Sequence, residues 1–225
     1  MKLRRFIGSL ACFFGLVAIL LTVIDTLSFR RSFYEYEYGR DNTAERIGMS
    51  DSDLMNATDT LLDYLKDRRD DIVCTAEVNG YVREIFDQRE TLHMIDVKNL
   101  YRNAVLARNA LAGASLVLLG ALYYMEKKDF ASLAWHGLKS GLLAIGMIVG
   151  AILFYALLDF NAFWMNFHYV FFDNDLFLLD PNVSIMINMF PENFFSDLVM
   201  GIIAMFVVIV GALFSIAWYF NRKKA

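Results

Sequence analysis

The stretch Leu198-Val-Met-Gly-Ile-Ile-Ala-Met-Phe-Val-Val-Ile-Val-Gly-Ala-Leu-Phe-Ser-Ile-Ala-Trp-Tyr-Phe220 contains no charged residue. A helix needs about 20 apolar residues to cross the hydrocarbon core of a bilayer, so this run reads as a membrane span. Gly201 and Gly211 do not argue against it, because small residues let helices approach closely in lipid. Working outward, three more runs reach spanning length. They are Phe6 to Ile24, with Asp25 at its far end; Ala104 to Met125, with Arg108 near its start; and Ser140 to Leu158. The expected class is an all-α membrane protein with four transmembrane helices, at 6–27, 104–125, 139–159 and 198–220.

Composition agrees. Of 225 residues, 57% are hydrophobic and 20% charged, with a mean hydropathy of +0.42. Soluble domains carry roughly 45–50% apolar residues. A formal charge of −4 and a pI near 5.4 make phosphate neutralisation a poor expectation, so a nucleic-acid partner is not anticipated. The first run follows a basic Lys2, Arg4 and Arg5, as a signal peptide would. Its apolar length exceeds the roughly 7–15 residues of a signal h-region, which favours an uncleaved anchor.

Lys and Arg set the expected orientation. They gather at Lys2, Arg4 and Arg5, at Lys127 and Lys128 in a link over 126–138, and at Arg222, Lys223 and Lys224. The link from Phe160 to Asp197 has none, but holds Asp173, Asp175, Asp180, Glu192 and Asp197. Both termini are therefore expected in the cytoplasm. A block at 28–103, with 11 basic and 16 acidic residues, is expected outside as a mainly helical extracytoplasmic cap, completed by an aromatic loop at 160–197.

Within the block, Leu54, Thr58, Leu61, Leu62 and Leu65 share a face of a predicted helix over 51–66, with Ser50 or Ser52 as N-cap. A second helix is predicted over Tyr81 to Leu100 from Val82, Ile85, Phe86, Leu92 and Ile95. The Phe33-Tyr-Glu-Tyr-Glu-Tyr38 alternation reads as a short strand or an interfacial aromatic stretch. Cys12 and Cys74 fall in different regions and form no disulfide framework or thiolate metal site.

Three histidines carry most of the chemical options. His136 follows Trp135 near a span end and reads as an interfacial anchor. His93 precedes the second span, with Asp96 at i+3 placed to hold its tautomer and Lys98 placed to pair with Asp96 or Glu90. His168 lies in a link whose residues 160–195 include 11 Phe, Tyr or Trp. That density reads as a greasy pocket at the outer face, with Trp164, Phe171, Phe172, Phe190 and Phe195 as candidate walls. No metalloprotease, serine-hydrolase or phosphate-loop motif occurs. Zinc on the two histidines and Asp96, Asp173 or Asp175 is not demanded by spacing, and no metal or other cofactor is expected. Charges within spans stay near their ends, which speaks against a transporter.

The segment Arg89-Glu90-x-Leu92-His93-Met94-x-Asp96-Val97-Lys98-x-Leu100 is similar to the first signature of the bacterial lipoprotein intramolecular transacylases. Their second signature resembles Phe167-His168 through Phe171-Phe172-x-Asn174-Asp175 and Asp180-Pro181 to Met189-Phe190-Pro191-x-x-Phe194-Phe195-x-Asp197. The order of spans and outer segments agrees as well. Where the family pattern carries a Trp after the Asn-Asp pair, this chain has Leu176 and Phe177. The resemblance implies a bacterial cell-membrane acyltransferase acting on a diacylated lipoprotein. The sn-2 acyl chain of a diacylglyceryl-cysteine would move to the α-amino group of the same cysteine. His93 and His168 are the implied catalytic pair, with Asp96 and Asp175 orienting them and Lys98 or Asn174 polarising the carbonyl. The competing expectations are a non-catalytic membrane scaffold or accessory subunit, and a metal-dependent membrane hydrolase. Oligomeric state is left open by the sequence.

Overall fold

The computed structural model describes residues 1–190 and 192–222. Pro191 of the second signature and the C-terminal Lys223 and Lys224 lie outside the described residues. Eleven elements follow in order: α1 (Lys2–Ser28), α2 (Arg31–Arg40), α3 (Thr43–Ile47), α4 (Asp51–Leu65), β1 (Thr75–Val78), β2 (Tyr81–Glu84), α5 (Gln88–Met125), α6 (Phe130–Leu158), α7 (Phe160–Phe171), α8 (Ile185–Met189) and α9 (Glu192–Arg222). The chain divides into two compact units, one of residues 1–26, 104–158 and 199 onward, the other of 27–103 and 159–198.

The first unit gathers the apolar helices. Four helices, α1, α5, α6 and α9, are long and apolar enough to cross a membrane. Their close approach depends on absent side chains. A Cβ on Gly137 of α6 would stand 2.4 Å from the Gly8 carbonyl oxygen of α1, so only glycine fits. Ser115 Oγ donates to the Ala11 carbonyl at 2.8 Å, and Arg108 Nη1 meets Asp25 Oδ2 at 2.7 Å. Leu16, Ile145 and Phe206 bring α1, α6 and α9 together. Large apolar side chains such as Leu116, Val117 and Phe154 remain exposed, as lipid-facing residues do.

The second unit has a dense core built on aromatics. Phe194 is buried against Phe33, Tyr34 and Phe190, with ring centroids 5.1–5.2 Å apart. Tyr34 donates from its hydroxyl to the Ser28 carbonyl at 2.6 Å, and Tyr38 shares a 2.9 Å hydrogen bond with Thr58. Helix α4 matches its expected span and starts at Ser50, whose hydroxyl accepts from Asp53 N–H at 3.0 Å.

Three expectations are corrected. Residues 33–38 form no strand: they lie in α2, where Tyr34 and Tyr38 stand one turn apart and share a buried face with Glu37. Residues 81–100 are not one helix. Asn79 and Gly80, both at positive φ, make a two-residue turn, so Tyr81–Glu84 returns as β2 antiparallel to β1. Helix α5 begins only at Gln88. Helix α6 starts at Phe130, so the link expected over 126–138 is mostly helical.

Helix α5 runs for 38 residues, about 57 Å, nearly twice a bilayer's hydrocarbon thickness. Its first part, 88–103, carries Arg89, Glu90, Asp96, Lys98 and Arg102 and belongs to the second unit, ahead of the spanning stretch.

Candidate functional site

The start of α5 is set by a reciprocal capping box. Glu90 N–H donates to Asp87 Oδ1 at 2.8 Å, while Asp87 N–H donates to Glu90 Oε2 at 2.6 Å. The other carboxylate oxygen, Oε1, accepts from Ser184 Oγ at 2.5 Å and Met186 N–H at 3.1 Å, which joins this turn to the beginning of α8. Ser184 in turn caps α8 by accepting from Ile187 N–H. Burial pushes the Glu90 carboxyl above its ordinary range, and these donors pull it back.

One turn later, His93 shares this buried face. Glu90, His93 and Met94 are buried, whereas Leu92 and Ile95 are exposed. The helix thus turns two polar residues inward and two apolar ones outward, the reverse of what an apolar stripe predicts.

His168 comes from α7, whose start is capped by Asp159 Oδ1 accepting from Ala162 N–H at 2.9 Å. The His93 and His168 rings lie with centroids 6.0 Å apart. Phe172 stands 5.3 Å from His93 and 5.8 Å from His168. Phe177 stacks on His168 at 4.8 Å, and Trp164 meets it edge-on at 5.0 Å.

His168 Nδ1 lies 2.7 Å from the Trp164 carbonyl oxygen. A carbonyl can only accept, so neutral His168 carries its proton on Nδ1 and leaves Nε2 as the basic nitrogen. His93 Nδ1 is buried and makes no hydrogen bond among the described residues. Burial, then the neighbouring His168, push the His93 pKa down to about 4, against partial relief from Asp96. Burial also lowers that of His168, while its bond to Trp164 opposes the shift. Both shifts favour the uncharged imidazole.

The remaining expected residues divide by location. Asp96 Oδ2 accepts from Asn174 Nδ2 at 2.9 Å, so this carboxylate ties α5 to the segment after α7 and does not hydrogen-bond His93. Asp175 contributes its backbone carbonyl, which accepts from Arg89. Lys98 pairs with Asp67 at 2.9 Å and sits 4.0 Å over the Tyr64 ring, in place of the expected pairing with Asp96 or Glu90. Trp164 stacks on Phe195 at 4.4 Å. Phe171 is exposed and touches Phe167, while Phe190 belongs to the Tyr34–Phe194 core.

Sequence reasoning named neither Phe177 as a wall of the His168 site nor Glu90 as the residue that joins α5 to α8. Phe177 was signalled by its place in the aromatic-rich link, two residues after Asp175. Glu90 was signalled by the Asp-x-x-Glu spacing of a capping box. Among the described residues, no group of three or more His, Cys, Asp or Glu is arranged to hold a metal ion.

Comparison with solved structures finds the same fold in the membrane integral lipoprotein intramolecular transacylase Lit from Bacillus cereus. The TM-score is 0.79 at 18% identity, covering 99% of this chain and 98% of that one. A variant of that protein with a histidine replaced by alanine gives 0.76 at 19% identity, covering 99% and 96%. The corresponding arginine variant gives 0.73 at 17%, covering 100% and 96%. Comparison with curated proteins finds no match. The family model described as lipoprotein intramolecular transacylase Lit matches residues 9–195, and this chain belongs to that family, as an integral membrane acyltransferase.

Proposed function

We propose that the chain moves the sn-2 acyl group of a diacylglyceryl-cysteine lipoprotein to the α-amino group of the same cysteine, leaving an N-acylated lyso-lipoprotein. The observation that carries this reading is the pair of imidazoles, His93 and His168, with ring centroids 6.0 Å apart among Phe172, Phe177 and Trp164. An α-amine of pKa about 7.7–8 must lose a proton before or during attack on an ester carbonyl. His168 Nε2, left basic by the bond at Nδ1, accepts that proton. The nitrogen bonds to the carbonyl carbon, the bond from that carbon to the glyceryl oxygen breaks, and the proton returns to the departing oxygen. His93, the second proton carrier, faces the same space with an unpartnered Nδ1.

No acyl-enzyme is required when amine and ester belong to one molecule. Holding them together supplies up to about 7–11 kcal/mol of the barrier reduction. Aromatic walls exclude the water that would hydrolyse the ester. The Asp96–Asn174 and Arg89–Asp175 bonds keep the two histidine-bearing segments in register. Lys98, engaged by Asp67 and Tyr64, supports the helix beneath His93.

The Lys and Arg distribution supports a multi-pass arrangement in a bacterial cell membrane, with both termini cytoplasmic. On that arrangement residues 28–103 and 160–197 are extracytoplasmic and carry the active site. The test is expression in a host that makes diacylated lipoproteins. Fragment ions of N-terminal lipopeptides should place one acyl chain on the cysteine nitrogen, at unchanged total mass. Acyl chains that all remain on the glyceryl oxygens would defeat the reading.

A further inference from the structure

The β1–β2 hairpin leaves one edge open. Its register pairs Val78 with Tyr81 and Ala76 with Arg83, and Ile85 N–H donates to the Cys74 carbonyl at 3.0 Å. Tyr81, Arg83 and Ile85 therefore make the inter-strand bonds, and Val82 and Glu84 turn their N–H and C=O groups to the far edge. All four residues of β2 are exposed, Tyr81 and Val82 at 77% each. No proline or bulge blunts this edge, and such an edge is a template for an added strand.

Beside it run two adjoining cavities of about 360 and 270 Å³, which share Arg83, Val183 and Ile185. Asn79, Asn182 and Asn188 line one of them with Arg46 and Arg83. Asn182 donates to Asp180 and Asn188 to the Pro181 and Ser184 carbonyls, which turns their amide oxygens to the role of acceptors for main-chain N–H groups. Glu90 lines the other cavity. It lies three residues before His93, about 4.5 Å along the axis of α5. The cavity beside Glu84 thus ends one turn of α5 from His93, on the same buried helix face.

We propose that the polypeptide following the substrate's lipidated cysteine docks here as an extended strand, pairing with Val82 and Glu84 on the open edge of β2. The proposal rests on the transacylase reading, which requires a peptide chain to leave the cysteine carbonyl. A second copy of the chain, joined β2 to β2, is the competing occupant.

The test uses the purified full chain in lipid and synthetic diacylglyceryl-cysteine peptides with one or about eight residues after the cysteine. The longer peptide should show a KM lower by about tenfold, with kcat within about twofold. N-methylation of alternate peptide bonds in the longer substrate should abolish the advantage without touching the protein. Val82→Pro should abolish it too, and Val82→Thr should retain it. Equal KM for both lengths, or an N-methylated peptide as good as the unmodified one, would overturn the docking strand. So would a dimer lost in Val82→Pro while KM stays unchanged. No N-acyl product from any peptide would instead overturn the transacylase reading, and this proposal with it.

Discussion

The two units are held together by opposite means. In the unit of apolar helices, contact comes from missing side chains, as at Gly8 and Gly137, and large apolar residues face outward. In the other unit, large aromatics fill the interior, and buried polar groups such as Glu90, Thr58 and Ser184 are hydrogen-bonded. Lipid is as apolar as leucine, so burying leucine among membrane helices gains little. An interior shielded from water rewards aromatic burial, and it also strips charge from histidine. The difference teaches that the apolar helices are constrained at a few close approaches, whereas the other unit is constrained by its enclosed polar groups.

That contrast can be broken most sharply at the histidines. His168→Ala should lower kcat by about 10²–10⁴-fold with protein level and melting temperature near wild type. A fall of less than tenfold would move the proton chemistry elsewhere. The next largest effect is on acid stability. His93 titrates near 6.5 when unfolded and is pushed down to about 4 when folded. Its contribution is therefore present above pH 6.5 and lost as pH falls toward 4, about 3 kcal/mol in all. Melting curves from pH 7.5 to 4.5 should fall less steeply for His93→Gln than for wild type, and parallel curves would contradict the assignment.

In the helical unit, Gly137→Ala places a Cβ 2.4 Å from the Gly8 carbonyl oxygen and should cost about 1–3 kcal/mol. The measurement is thermal melting in detergent, with kcat of the folded fraction preserved. Ser184→Ala should be the mildest, at about 1–2 kcal/mol, since it removes the cap of α8 and one donor to Glu90. Unchanged melting would show that Glu90 does not need this partner.

The membrane spans were legible because hydropathy over about 20 residues is a property of the segment itself. Local details were harder. The Phe33–Tyr38 alternation has a period of two, but burial of Tyr34, Glu37 and Tyr38 on one helical face prevailed. The Asn79-Gly80 turn is a readable hairpin signal, but the apolar spacing that starts at Tyr81, just after it, fits a helix as well as a strand. On α5 the stripe misled about burial, because the site turns Glu90 and His93 inward. The two histidines were found as candidates from topology and motif. Their facing geometry and the diversion of Asp96 to Asn174 depend on contacts across 75 to 78 residues, which local sequence does not encode.

The most direct test mixes two diacylglyceryl-cysteine lipopeptides of different peptide mass with purified chain, one of them isotope-labelled in its sn-2 acyl group. The account predicts that the label appears on the cysteine nitrogen of the peptide that began with it, and that His168→Ala abolishes this product. Label on the other peptide, or released as free fatty acid in place of N-acyl product, would contradict it.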